Sequence, residues 1–345
     1  MKAALLEGIK HLALRDIPDP VCEPDGLLLQ VAACGVCGSD VRNYLYSANT
    51  GVSQRLKGHE VSGRVVAVGS KTTGFAIGER LSIAPPISCG QCYYCQRGLQ
   101  HLCDHYQEIA REYPGGFAEL MAIPAVALQY GCVCKITDQL SFTEATVSEP
   151  LSSVIACQEA VNVGLGDNVV IFGAGPIGIL HAQLARIHGA GQVIVIEQRP
   201  ERLGQALKLG ATMALNGLQD DLRPAVLNAT ENRGADVVIV AAPSSMAQAQ
   251  AIRLARKRGR VVWFGGLPKG SETKVDANDI HYREVTIYGA FSYSPRHNRM
   301  AVDLISRRKI DASKLITATF PLGQVEKAFE HAAEGKGLKT VIVMN

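Results

Sequence analysis

The stretch NVVIFGAGPIGILHAQLARIHGAGQVIVIE, residues 168–197, decides the reading of this chain. A short apolar strand runs into GAGPIG (173–178), a helix-like segment follows, and a second apolar strand ends on Glu197, 19 residues beyond Gly178. A lone G-x-G-x-x-G matches many glycine-rich turns. Its weight here comes from the strand before it, the helix after it and the acidic residue closing the next strand. In that setting Gly173 makes the turn, Gly175 lets the backbone approach a pyrophosphate, and Gly178 permits close contact of helix and strand. Pro176 and Ile177 open a helix whose first N–H groups suit the phosphates of a bound dinucleotide.

Glu197 can accept hydrogen bonds from an adenosine ribose 2'-OH and would repel a 2'-phosphate, so the expected cofactor is NAD and not NADP. Arg199 and Arg202 lie close by in sequence and read as a solvated pair, with Arg202 helping to hold NAD. Phe264 and Gly265, at the end of the later strand GRVVWFGG (259–266), complete the expected cofactor contacts.

Outward from this unit the alternation continues. ADVVIVAA (235–242), GRVVWFGG and EVTIYGAF (284–291) are further apolar strands with helix-like stretches between them, which predicts a parallel sheet. Upstream, SSVIACQEAVNVG (152–164) has helical spacing. From Met1 to about Pro150 the texture differs: short apolar runs such as LLLQVAACG (27–35) and VSGRVVAVGS (61–70), broken by Gly and Pro, read as an irregular β domain. The expected domains are therefore 1–150, 151–290, and a return to the first over 291–345, which carries a helical YSPRHNRMAVDLISRRKI and a terminal strand TVIVMN.

With 345 residues, two domains of roughly 100 to 200 residues are expected. A balance of 35 basic against 32 acidic residues, net +3, lacks the clustered basic face of a nucleic-acid binder. Hydrophobic content is 47%, yet no apolar run reaches the roughly 18 residues of a membrane helix. MKAALLEGIKHLAL is interrupted by Glu7 and Lys10 and lacks the pattern of a secretory signal, so a cytoplasmic chain is expected, its 10 cysteines being thiols or metal ligands.

Four of those cysteines stand in CGQCYYCQRGLQHLC: Cys89, Cys92, Cys95 and Cys103. Four thiolates complete a tetrahedral zinc shell with no vacancy, the mark of a structural site, here in a lobe at about 85–110. A sparser set is Cys37 in GVCGSD, His59 and Glu60 in GHE, and Glu149 in SEP. A thiolate, an imidazole and a carboxylate leave the open fourth position that catalytic zinc needs. Cys132 and Cys134 would share one strand face, and ordinary packing is the expectation for them.

GVCGSDV, GHEVSGRVVAVG, the four-cysteine lobe, PGGFAEL, SEPLS and GAGPIG occur in order over essentially the whole chain. Together they resemble the zinc-dependent medium-chain alcohol dehydrogenases, and most closely their polyol branch, typified by sorbitol (L-iditol) dehydrogenase. The resemblance implies an α/β protein with a GroES-like, β-rich catalytic domain, a Rossmann domain with a doubly wound parallel sheet, and an active-site cleft between the two. It implies two zinc ions per chain and NAD, with Cys37 and His59 holding the catalytic zinc and either Glu60 or Glu149 completing the set. Ser39 matches the family's hydroxyl relay, which often ends at a histidine. Arg42 stands there instead, and a guanidinium is a poor base.

The implied reaction is reversible oxidation of a secondary hydroxyl of a sugar alcohol to the ketose. A polyol phosphate, as in galactitol-1-phosphate dehydrogenases, is the alternative; Arg42, Arg111 and Arg296 are the cations that it would need. A threonine dehydrogenase or an inactive zinc-containing binding protein are more distant readings. Tyr44, Tyr46, Tyr113, Phe117 and the YSPRHN stretch are the expected pocket residues, and relatives assemble as homodimers or homotetramers.

Overall fold

The computed structural model describes residues 1–46 and 55–344, and the chain divides into two compact units, Met1–Ser152 with Ser292–Asn345, and Ser153–Phe291.

The second unit is built on a six-stranded sheet in which every neighbouring pair is parallel. Its spatial order is Met213–Asn216, Gln192–Glu197, Asn168–Phe172, Ala235–Val240, Ala255–Trp263 and Thr286–Gly289. Counted along the unit, that order is 3-2-1-4-5-6, the doubly wound arrangement whose strand order reverses beside the first strand. The strands are continuous runs of Val and Ile because they are buried on both faces: Val169, Val170, Ile171, Val193, Ile194, Val195, Val237, Val238 and Ile239 are all fully buried. The edge strand Met213–Asn216 has no counterpart in the sequence reading, since MALN is too short and too mixed to stand out.

The first unit is β-rich. One sheet runs Ile316–Pro321, Lys339–Val343, Leu27–Gly35, Glu60–Val68, Arg80–Ile87 and Gln107–Glu108, with Leu120–Ile123 pairing on Leu27–Gly35 and Gly131–Lys135 on Arg80–Ile87. The C-terminal strand Lys339–Val343 pairs antiparallel with Leu27–Gly35, so the end of the chain closes onto its beginning. A separate hairpin joins Lys2–Gly8 to His11–Asp16. The core collects Leu27, Leu29, Val61, Val65, Leu81, Ile83, Phe117, Met121 and Phe329.

Two residues expected at the substrate pocket belong to this core instead. Tyr44 is 3% exposed and packs edge-on against Phe329, with ring centroids 5.5 Å apart; Phe117 is fully buried against the same ring at 5.4 Å. Apolar burial against Phe329 accounts for both positions. Among the described residues no helix is long and apolar enough to cross a membrane.

Candidate functional site

Cys37 lies between the strand Leu27–Gly35 and the helix Gly38–Tyr46, while His59 and Glu60 lie at the start of Glu60–Val68, the antiparallel neighbour of that strand. Gly35 is the register partner of Glu60. One donor atom each from Cys37, His59 and Glu60 come within 4.8 Å of one another. Glu149, in the helix Ser148–Ala160, stands outside that group and accepts a hydrogen bond from the Tyr293 hydroxyl at 2.8 Å.

Asp40 orders the triad. It is 2% exposed, accepts the Cys37 N–H at 3.1 Å, and faces His59 Nδ1 at 3.5 Å. A carboxylate against one imidazole nitrogen fixes the ring and leaves the other available to a cation. Burial, the largest influence on His59, disfavours its charge, yet Asp40 and Cys37 together hold the imidazole pKa well above the ordinary value. Glu149 shows the reverse balance: burial pushes its carboxyl up to about 7, with Glu60 adding to the rise and His59 and the Tyr293 hydroxyl opposing it. This buried corner is rich in negative charge, and a sulfur, an imidazole nitrogen and a carboxylate form a donor set that suits zinc. The residues fit the metal.

Glu60 is fully buried, and its carboxylate is ion-paired to the ammonium of Lys339, which also donates to the Val36 carbonyl at 3.0 Å. A Cβ on Gly35 would lie 1.9 Å from Glu60 Oε2, so only glycine leaves room for that carboxylate. Lys57, two residues before His59, is 9% exposed, and among the described residues its ammonium makes one contact, 3.4 Å to the Ala110 carbonyl. Burial lowers its pKa, with Asp40 opposing, Arg111 adding to the fall and Glu108 opposing.

The four-cysteine lobe forms as a loop with two short 3-10 turns, Cys95–Arg97 and Gln100–Leu102. The sulfurs of Cys89, Cys92, Cys95 and Cys103 all lie within 4.8 Å of one another and none is in a disulfide. Cys103 Sγ accepts the backbone N–H groups of Cys89 at 3.2 Å and His105 at 3.3 Å. Backbone N–H donors, that of Cys95 foremost, lower Cys92 to about 6, whereas burial pushes Cys103 up to about 12. Four such sulfurs become thiolates together only around a cation, and four thiolates are a zinc donor set.

In the second unit Gly173 has φ +100 and donates to the Ile196 carbonyl at 2.8 Å, a turn that only glycine adopts freely. A Cβ on Gly178 would fall 1.8 Å from the Gly173 carbonyl oxygen, so the helix Pro176–Ile187 packs against the turn through that glycine. Glu197 Oε2 accepts the Ala174 N–H at 2.7 Å, and Oε1 accepts those of Gln198 at 2.7 Å and Arg199 at 3.0 Å. The acidic residue is thus fixed beside the glycine turn. Arg202, in Pro200–Lys208, has its pKa lowered by burial and raised by Glu197. Phe264 and Gly265 both donate to the Val240 carbonyl, at 3.2 and 2.8 Å, beyond the end of Ala235–Val240. This turn, rimmed by backbone amides and a fixed carboxylate, fits a dinucleotide.

Of the remaining expected residues, Ser39 and Arg42 are exposed on Gly38–Tyr46, Arg296 is exposed on Pro295–Ser306, and the Tyr113 hydroxyl donates to Gln107 Oε1 at 3.2 Å. Cys132 and Cys134 are buried on one strand face, and Cys134 Sγ donates to Asn298 Oδ1 at 3.1 Å. Asp40, Lys339, Tyr293 as the partner of Glu149, and Lys57 were missed by the sequence reading. Only Asp40, three residues after Cys37 in GVCGSD, left a local signal.

Residues 23–131 match the sequence model of the alcohol dehydrogenase GroES-like domain, and residues 176–307 that of the zinc-binding dehydrogenase domain. Sorbitol dehydrogenase of Bacillus subtilis (strain 168) is 30% identical, over 100% of this chain and 98% of that protein. D-arabitol-phosphate dehydrogenase of Enterococcus avium is 29% identical, over 98% and 95%. The crystal structure of a zinc-binding dehydrogenase from Sinorhizobium meliloti 1021 bound to NADP is 31% identical, superimposes with a TM-score of 0.90, and the match covers 99% of this chain and 98% of that one. With a metal-binding triad, a four-thiolate lobe and a dinucleotide turn on one full-length match, this chain belongs to the zinc-dependent medium-chain dehydrogenases, in the company of their polyol dehydrogenases.

Proposed function

We propose that the protein oxidises a secondary hydroxyl of a polyol, free or phosphorylated, to the ketose, reversibly and with NAD. The observation that carries this reading is the gathering of Cys37, His59 and Glu60 within 4.8 Å beside a second buried carboxylate, Glu149. Zinc held by Cys37, His59 and either carboxylate would acidify a substrate hydroxyl, as it lowers the pKa of water from 15.7 to about 7, and a bound NAD would supply the hydride acceptor.

The chain's own residues do the rest. Asp40 holds the His59 ring and the Cys37 backbone in place. Lys339 offsets the charge of Glu60, and the Tyr293 hydroxyl orients Glu149. Ser39, exposed in the first turn of its helix, takes the proton released from the substrate as it passes its own hydroxyl proton to water, since a guanidinium at position 42 offers no base. Glu197, fixed by three backbone amides, favours a ribose 2'-OH over a 2'-phosphate and hence NAD over NADP. The family resemblance supports work in the cytoplasm as a homodimer or homotetramer, which sedimentation of the purified protein would resolve.

A panel of tetritols, pentitols, hexitols, their phosphates and L-threonine, followed by NADH formation and metal analysis, tests the reading. Expected are turnover of a polyol class, faster reduction of NAD than NADP, and about a 100-fold fall in turnover in Ser39→Ala. Threonine as the best substrate, or no turnover with zinc present, would sink it.

A further inference from the structure

Lys57 stands two residues before His59 and takes no part in the metal chemistry. Its side chain is 9% exposed, and among the described residues its ammonium reaches only the Ala110 carbonyl, at a long 3.4 Å. An ammonium offers three donors and costs several kcal/mol to bury without a counter-charge. No carboxylate lies within ion-pairing distance of it among the described residues, and SANTGVSQ (47–54) contains no acidic side chain. The acidic groups that feel its charge are already engaged: Asp40 with the Cys37 N–H and His59, and Glu108 with Arg111, 3.6 Å away.

The position is also held firmly. The Lys57 carbonyl accepts the Phe117 N–H at 3.0 Å, and a Cβ on Gly115 would come within 2.3 Å of that carbonyl, so the PGGF segment runs tightly over the lysine backbone. The preceding residue, Leu56, is apolar and buried. An apolar side chain at position 57 would serve packing better than an amine without a counter-charge.

We propose that Lys57 is a specificity-determining residue that binds an anionic group, a phosphate monoester or a carboxylate, on the polyol substrate, supplying the counter-charge that the protein itself lacks. The proposal rests on the polyol dehydrogenase reading and narrows it to acidic polyols.

The test compares the zinc-loaded wild-type enzyme with Lys57→Met and Lys57→Arg. In the activity arm, NADH formation is measured on a pentitol, its phosphate and the corresponding aldonate. One charge-assisted contact predicts that wild-type kcat/KM for an anionic substrate exceeds that for the parent pentitol by about 10- to 100-fold. Lys57→Met should abolish that ratio, mainly through KM, and Lys57→Arg should keep part of it. Whether phosphate or carboxylate gains more identifies the group. In the binding arm, inorganic phosphate should raise the wild-type Tm and leave that of Lys57→Met unmoved. Without ligand, Lys57→Met should melt higher than wild type, whereas a lysine kept for structure would make it melt lower. A wild-type preference for the neutral pentitol, equal losses on all substrates, or a lower-melting Lys57→Met overturns the proposal. If no polyol reduces NAD, the dehydrogenase reading fails by itself, and the phosphate shift then decides the anion site.

Discussion

The Lys339 ammonium and the Glu60 carboxylate form a buried ion pair across 279 positions of the chain, with Lys339 5% exposed and Glu60 fully buried. The pair ties the last strand to the strand that begins beside the metal triad, and the missing side chain of Gly35 makes room for it. Lys339 thus competes with any bound cation for the same carboxylate.

Removing one partner of such a pair leaves the other charge buried. Lys339→Met should lower stability by about 3–5 kcal/mol, and adding Glu60→Gln should restore most of the loss, because a neutral pair costs far less to bury. Urea denaturation of the single and double variants measures both. Chelator competition supplies a second readout, with Lys339→Met holding the metal more tightly than wild type because the competing ammonium is gone. A double variant no more stable than the single one would show that the lysine matters for its packing and not for its charge.

Cys95→Ser separates the two cysteine sets. Cys95 is 6% exposed within the cluster of four sulfurs, which is complete without any outside ligand. The variant should lose one zinc per chain and melt lower, while kcat per folded, zinc-bearing molecule falls far less. Metal analysis, thermal melting and active-site titration check this together; unchanged zinc content would remove the lobe from the list of metal sites.

Features encoded by short spacing are legible in the sequence alone. The glycine turn, Glu197, the four cysteines and the GHE tripeptide all sit in local patterns whose chemistry follows from residue type. Val- and Ile-rich strands announced the parallel sheet for the same reason, whereas the edge strand Met213–Asn216 has too few apolar residues to do so. Partners set by the tertiary fold left no trace: nothing in KTVIVMN says that Lys339 will meet Glu60, and nothing in FSYSPRHN says that Tyr293 will meet Glu149. Tyr44 and Phe117 misled because an aromatic residue near a motif reads equally well as pocket or core, and only Phe329, more than 200 positions later, decides for core.

His181 carries a prediction about acid stability away from the metal residues. It is fully buried in Pro176–Ile187; the Gln158 amide Nε2 lies 3.2 Å from its Nδ1 and donates to its carbonyl at 2.8 Å, and its ring meets Phe264 edge-on at 4.8 Å. Burial lowers its pKa from 6.5 to about 3. The unfolded chain therefore takes up this proton first, and the stability contribution, fully present above about pH 6.5, is lost as pH falls toward 3. At 1.36 kcal/mol per unit the loss is about 2 kcal/mol by pH 5. His181→Leu keeps the bond from Gln158 to the main-chain carbonyl and removes the titration. The difference in unfolding free energy between pH 7 and pH 5 should shrink by about 2 kcal/mol in the variant, measured on zinc-loaded protein so that metal loss affects both proteins equally. Parallel pH profiles for the two would mean that the imidazole already finds a partner for its proton in the folded chain.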